Sequence, residues 1–444
     1  MQRLYTVLFL VAIMQPFMAC ENKKKPIEEL LDRKGPISTT TEWINTKAAI
    51  RTLQDDIRRK PNNEKKKLML ALAYMQEARI TGEHPHYYPL AQDLLDEVIS
   101  SNPQDKNLLF EALVAKATVQ LSLHQFEEAL NTGMIALKID STTASLYGVF
   151  CDAYVELGDY PRAIEAADRM TSIRPDIRSY SRISYLREIH GDVPGAIEAM
   201  KEAILSGMPG LEQTAWARIT LGGLYETIGQ LNEAEMQYNM ALAERPQYPF
   251  AIGSLGRLEA KKKNYVQAIE LLKKASDIIP EFSFQQELAS VYKVTGEKNK
   301  AKSMTEELLE SLQEDQEAGH IVNLEIANIH LNITDDLDEA YSFAKKEYRK
   351  RPENIDVCKT MASIAYRKNN LEEAGKLIEK ASRTNKQDAE LISLKGFIAY
   401  KSGDQEMGLA LMNKALQLDP FLDQTVVNEI NGLTKNKLTV LHEK

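Results

Sequence analysis

The sequence predicts an all-α solenoid of about ten stacked helical hairpins. Three observations carry this. A small residue recurs at Ala91, Ala129, Ala163, Ala196, Ala234, Ala268, Ala301, Ala340, Ala374 and Gly408, in steps of 38, 34, 33, 38, 34, 33, 39, 34 and 34 residues. Prolines echo the period at Pro103, Pro175, Pro246, Pro280, Pro352 and Pro420, with Ser141, Met208, Gln313 and Lys386 in the remaining places. Glycines at Gly82, Gly158, Gly191, Gly229, Gly296 and Gly403 mark the turns inside the hairpins. A small residue lets two helices approach, a glycine permits the turn between them, and a proline stops the second helix. A hairpin of this kind cannot bury its apolar face alone and stacks on its neighbours.

The N-terminus comes first. Arg3 precedes an apolar run from Leu4 to Met14, followed by Gln15, Pro16 and Phe17-Met18-Ala19-Cys20. This is the layout of a secretory signal, and it falls short of the roughly 20 apolar residues of a membrane-spanning helix. The end of the run resembles a lipobox, the cleavage site of bacterial lipoproteins, although Phe17 and Met18 depart from its usual Leu-[Ala/Ser]-[Gly/Ala]-Cys form. The resemblance implies removal of residues 1–19 and lipidation of Cys20. Acyl chains there would anchor the chain at about 0.8 kcal/mol per buried methylene. Glu21 follows, where an aspartate is typical of inner-membrane retention, and Glu21-Asn22-Lys23-Lys24-Lys25 is unlike a surface-export run. The expectation is an outer-membrane anchor facing the periplasm.

Residues 20–41 are polar and contain Pro26, Gly35, Pro36 and Ser38-Thr39-Thr40-Thr41. They are expected to form a tether with a short helical turn near Ile27–Asp32, and extended they reach at most about 70 Å. Residues 42–63 hold a helical stripe of Trp43, Ala49, Ile50, Leu53 and Ile57 that ends at Lys60-Pro61, the pattern of a capping helix.

The repeats cover 64–422. Their clearest member contains Arg218, Leu221, Gly222, Tyr225, Gly229, Ala234, Tyr238, Ala241 and Pro246. This spacing resembles the tetratricopeptide repeat, a helix–turn–helix unit of about 34 residues. The resemblance implies a right-handed superhelix in which Gly222, Tyr225, Ala234, Tyr238 and Pro246 serve repeat packing. The longer steps mark insertions at Glu83–Pro89, Gly207–Gln213 and Glu314–His320, which bend the stack or display a loop. Residues 423–444 are read as a C-terminal capping helix and tail, the helical pattern starting at Phe421 just after Pro420 and running to Leu433, with a polar tail from Thr434.

Composition fits a folded binding protein. Of 444 residues 27% are charged and 43% hydrophobic, and the net charge of −9 argues against general nucleic-acid binding. Cys151 and Cys358 lie about six repeats apart and read as core residues, not a disulfide. The pair His84 and His86 reads as loop, since no third metal ligand is placed by sequence. Asp55-Asp56 and Asp335-Asp336 read as helix-edge charges. No phosphate-binding glycine loop, nucleophile elbow or Cys-x-x-Cys is present, so neither an enzyme nor a cofactor is expected.

The resemblance further implies a concave groove lined by first helices. Projected onto it, Tyr185, Trp216 and Phe250 form an aromatic patch, and Arg257 and Lys261 a basic end beyond the acidic Asp152 and Glu156. Aromatic residues are enriched at binding hot spots. No set of lysines and asparagines suited to clamping a C-terminal carboxylate is found. The function expected is a lipid-anchored, non-enzymatic scaffold that binds a protein or peptide and assembles an envelope complex. The alternative is an outer-membrane lipoprotein that captures glycan or peptide solutes for uptake.

Overall fold

A computed structural model describes residues 30–442; the expected signal segment, Cys20 and the first part of the expected tether lie outside them. Ten helical hairpins follow one another, from Glu64–Thr81 paired with His84–Ser100 to Ala389–Lys401 paired with Gln405–Leu418. Thr41–Arg59 precedes them and Gln424–His442 follows, reaching beyond the expected end of the capping helix. The described residues contain no strand, and none of their helices is long and apolar enough to cross a membrane. The fold is a tetratricopeptide-type helical solenoid.

The small-residue ladder marks the hairpin contacts. Ala91, Ala129, Ala163, Ala196, Ala234, Ala268, Ala340 and Ala374 are fully buried, and Ala301 nearly so. Gly222 shows why size matters, because a Cβ there would lie 2.3 Å from Cε1 of Tyr238, itself fully buried on the facing helix. Asparagine and aspartate start many of the helices. Asn63, Asp105, Asp159, Asp176, Asp192, Asp336, Asn354, Asn370, Asp388 and Asp404 each accept bonds from backbone amides of the first turn. Such caps contribute about 0.5–2 kcal/mol each. Of the acidic pairs, Asp336 is thus a cap, while Asp55 pairs with Arg58 and Asp56 with Lys66.

The superhelix is closed on itself. The turn inside each of the first five hairpins docks on the loop that follows the hairpin five places later. Gly82 lies against Pro280, Gly158 against Glu353 and Asn354, Gly191 against Asn385, and Gly229 against Pro420. Between them, Ile321 donates its amide to the Leu123 carbonyl at 3.0 Å, and Gln125 donates to the Gly319 carbonyl at 2.9 Å. The last three contacts of this ladder span 195, 194 and 191 residues (353 − 158, 385 − 191, 420 − 229). One superhelical turn therefore takes about five and a half repeats, and adjacent turns touch. The insertion Glu314–His320 lengthens Lys298–Glu317 and supplies part of this seam, whereas Gly207–Gln213 displays a loop.

The tether expectation is corrected over residues 30–41. Gly35–Thr39 is a short 3-10 helix that leads into Thr41–Arg59 and packs against Tyr265–Ile278. Arg33 is 5% exposed and donates to both carboxylate oxygens of Glu77, at 2.9 and 2.7 Å. Ile37 packs near Ile252, Ile278 and Phe284, and Arg245 reaches Glu42 at 3.1 Å. The segment stays because leaving would strand Glu77, a fully buried carboxylate. In the helix that follows, Trp43, Ile50, Leu53 and Ile57 are buried, but Ala49 faces solvent.

Candidate functional site

Tyr185, on Ile177–Ile189, and Trp216, on Glu212–Thr227, occupy neighbouring first helices and are 38% and 41% exposed. Gly223 lies two turns along from Trp216, and a Cβ added to it meets open space. Asp356, Glu156 and Glu188 lie around the Tyr185 hydroxyl. Burial first, and then these carboxylates, push that phenol well above its ordinary range.

The other three residues assigned to the groove are engaged within the chain. Phe250 packs against Tyr248 and Phe284 with ring centroids 5.5 and 5.7 Å apart, and Gly253 leaves the space that the Phe284 ring occupies. Arg257 donates to Glu226 at 3.0 Å and to the Tyr238 hydroxyl at 3.2 Å. Burial opposes the Arg257 charge, but Glu226 and Tyr238 outweigh it and the guanidinium is held above its ordinary range. Lys261 donates to the Glu226 carbonyl at 3.2 Å and pairs with Asp419 of the next superhelical turn at 2.9 Å. Both cations expected at the basic end of the groove thus pair with acids of the chain itself.

A cavity of about 430 Å³ opens where the two turns meet. His124, Asp152, Glu156, Glu325, Arg351 and Asn354 line it. Arg351 pairs with Glu156 and Glu347, and Asn354 donates to the Glu156 carbonyl at 3.0 Å. Burial raises Glu156 to about 7 despite Arg351. His124 is depressed to about 3, first by burial and then by His320, whose ring is 4.5 Å away. The partnership of Glu156 with Arg351 was not legible in the sequence, since 195 residues separate them. His84 faces His320 at 6.4 Å between ring centroids. Among the described residues no group of three or more His, Cys, Asp or Glu side chains is arranged to hold a metal ion. Cys151 and Cys358 are buried free thiols.

Comparison with known proteins bears on this geometry. The tetratricopeptide repeat family model matches residues 334–396. Repeats of this family mediate protein–protein interaction, and their stacked hairpins create extended concave binding surfaces. No curated protein matches the chain. Among solved structures, PilF of Pseudomonas aeruginosa is 15% identical, with 48% of this chain and 98% of that one covered and a TM-score of 0.38. PilW, described as a type IV pilus biogenesis factor, is 19% identical over 48% of this chain and 98% of its own, with a TM-score of 0.38. The Cut9–Hcn1 structure covers 89% of this chain and 88% of that one at 14% identity and a TM-score of 0.46. These likenesses are of repeated helical hairpins and say nothing about ligand.

Proposed function

We propose that this chain is a non-enzymatic interaction scaffold, lipid-anchored through Cys20 in the outer membrane of a bacterial envelope and facing the periplasm. It holds a protein or peptide partner on its concave side and so assembles or stabilises an envelope complex. One observation carries the reading: Tyr185 and Trp216 stand half-exposed on adjacent first helices, beside the open space at Gly223. Large aromatic side chains of this kind gain most when a partner desolvates them. Because adjacent superhelical turns touch, the partner enters along the superhelix axis and not sideways between turns. An extended segment fits that route better than a folded domain.

The test is a cross-linking pull-down from native membranes, comparing the wild-type chain with Cys20→Ala and with Tyr185→Ala/Trp216→Ala. Envelope proteins lost in both variants support the reading. Recovery of a bound glycan or small peptide without any protein partner overturns it in favour of solute capture.

A further inference from the structure

Four large apolar side chains stand exposed on two segments that meet where the chain enters the solenoid. Ile44 is 61% exposed, Leu205 77%, Met208 68% and Leu211 51%. Ile44 lies in the first turn of Thr41–Arg59, Leu205 ends the second helix of the fourth hairpin, and Met208 and Leu211 belong to the connection that follows it. One guanidinium joins these places. Arg245 donates to the Gly210 carbonyl at 3.0 Å and to the Glu42 carboxylate at 3.1 Å, so Leu211 and Ile44 each stand one or two residues from the same side chain.

The loop is held, not frayed. The Thr214 hydroxyl, 1% exposed, donates to the Met208 carbonyl at 2.7 Å. Gly207 leaves the room that this hydroxyl needs, since a Cβ there would stand 2.5 Å from it. Gly210 supplies a left-handed turn at φ +82°. The body of the protein thus fixes a loop whose apolar side chains point away from every core cluster. Nothing in folding requires Met208 or Leu211 to be apolar, and such grouping on an exposed surface marks a contact site.

The anchor proposed at Cys20 points to what covers it. Leu30 is the first residue described, and Arg33 is pinned to Glu77. Ten residues separate Cys20 from Leu30, and fully extended they span at most about 35 Å. Along the outward side of the first helix, Ile44 is followed by Ala48 and Arg51. Arg51 is exposed and makes no ion pair with the described residues, so it is available to a lipid phosphate.

We propose that the face formed by Ile44, Met208 and Leu211 seats on the phospholipid surface in which the anchor lies. The solenoid is then docked on the membrane at its N-terminal end, with its concave side held at a set orientation. The inference rests on the lipid anchor at Cys20 proposed above, and its test is independent of whether Cys20 is lipidated in cells.

The chain is made with a hexahistidine tag in place of residues 1–19 and with Cys20→Ser, and is tethered to phosphatidylcholine–phosphatidylglycerol vesicles containing a nickel-chelating lipid. An environment-sensitive NBD probe is placed through Met208→Cys or, as a control on the last hairpin, Met407→Cys. Both positions are exposed, so neither change disturbs the core. The expected result is a blue shift and several-fold brightening at position 208 on tethering, quenched by spin-labelled lipid, and neither at 407. Equal behaviour of the two probes overturns the proposal. So does a blue shift at 208 without vesicles that accompanies a dimer in light scattering, which assigns the face to a second copy. Palmitate labelling of Cys20 in cells tests the anchor separately.

Discussion

Gly158 sits against the backbone of Glu353, which comes 195 residues later: a Cβ built on Gly158 would stand 2.3 Å from the Glu353 carbonyl carbon. Arg383 seals the contact by donating to the Gly158 carbonyl at 3.0 Å. Gly296 occupies the same place in a later hairpin at φ +78°, but a Cβ there meets nothing within 4 Å. Gly158→Ala is expected to cost about 2–4 kcal/mol, the left-handed backbone adding about 1–2 and the overlap the rest. Gly296→Ala is expected to cost the backbone part alone. Thermal melts of both variants check this, and hydrogen exchange should speed up at residues 353–355 in the first variant alone.

Packing inside a hairpin gives a second prediction. Gly222→Ala and Ala234→Leu each place atoms where the facing helix leaves no room, and each is expected to destabilise by about 1–3 kcal/mol in denaturant titrations. An unchanged midpoint would contradict the assignment of these residues to repeat packing.

The five residues assigned to the groove should divide by stability. Arg257→Ala leaves the buried Glu226 carboxylate and Tyr238 hydroxyl short of a donor and is expected to cost about 1–3 kcal/mol. Trp216→Ala and Tyr185→Ala remove side chains that are only partly covered and leave no buried charge behind, so they are expected to cost less than the about 3–5 kcal/mol of truncating a fully buried aromatic. Their effect should be read in partner binding.

Two groups at the cavity between the turns give opposite pH dependences. His124 is depressed to about 3 in the folded chain, so the unfolded chain takes a proton below its ordinary 6.5 and the folded one does not. Stability from this group is lost as pH falls from 6.5 towards 3. Glu156 is raised to about 7 against an ordinary 4.5, so the stability tied to its proton is present below 4.5 and lost as pH rises through 7. His124→Gln should flatten the acid side of a stability–pH curve and Glu156→Gln the neutral side. Urea midpoints measured every half unit between pH 4.5 and 8 distinguish them.

Both free thiols should be silent in the native state. Burial pushes Cys151 up to about 12 and Cys358 up to about 11, so almost no thiolate exists at neutral pH and neither sulfur is accessible. A disulfide-exchange reagent at pH 8 should titrate neither until denaturant is added.

The sequence by itself determined the hairpins. Ala91 through Gly408 marked each second helix, and the glycines and prolines marked where the chain turns, because helix contact distance and backbone conformation are set by residues a few positions apart. What only the tertiary structure decided is the closure of the superhelix. Its pitch is the sum of small rotations over about five and a half repeats, and no local pattern records that sum. The fates of the groove residues follow from it. Lys261 reads the same in the sequence whether it faces a partner or Asp419, and only the return of the chain on the next turn brings Asp419 to it. Residues 30–41 looked like a tether for the same reason. Their composition is polar throughout, and the buried place of Arg33 exists because Glu77 and the fifth and sixth hairpins lie around it.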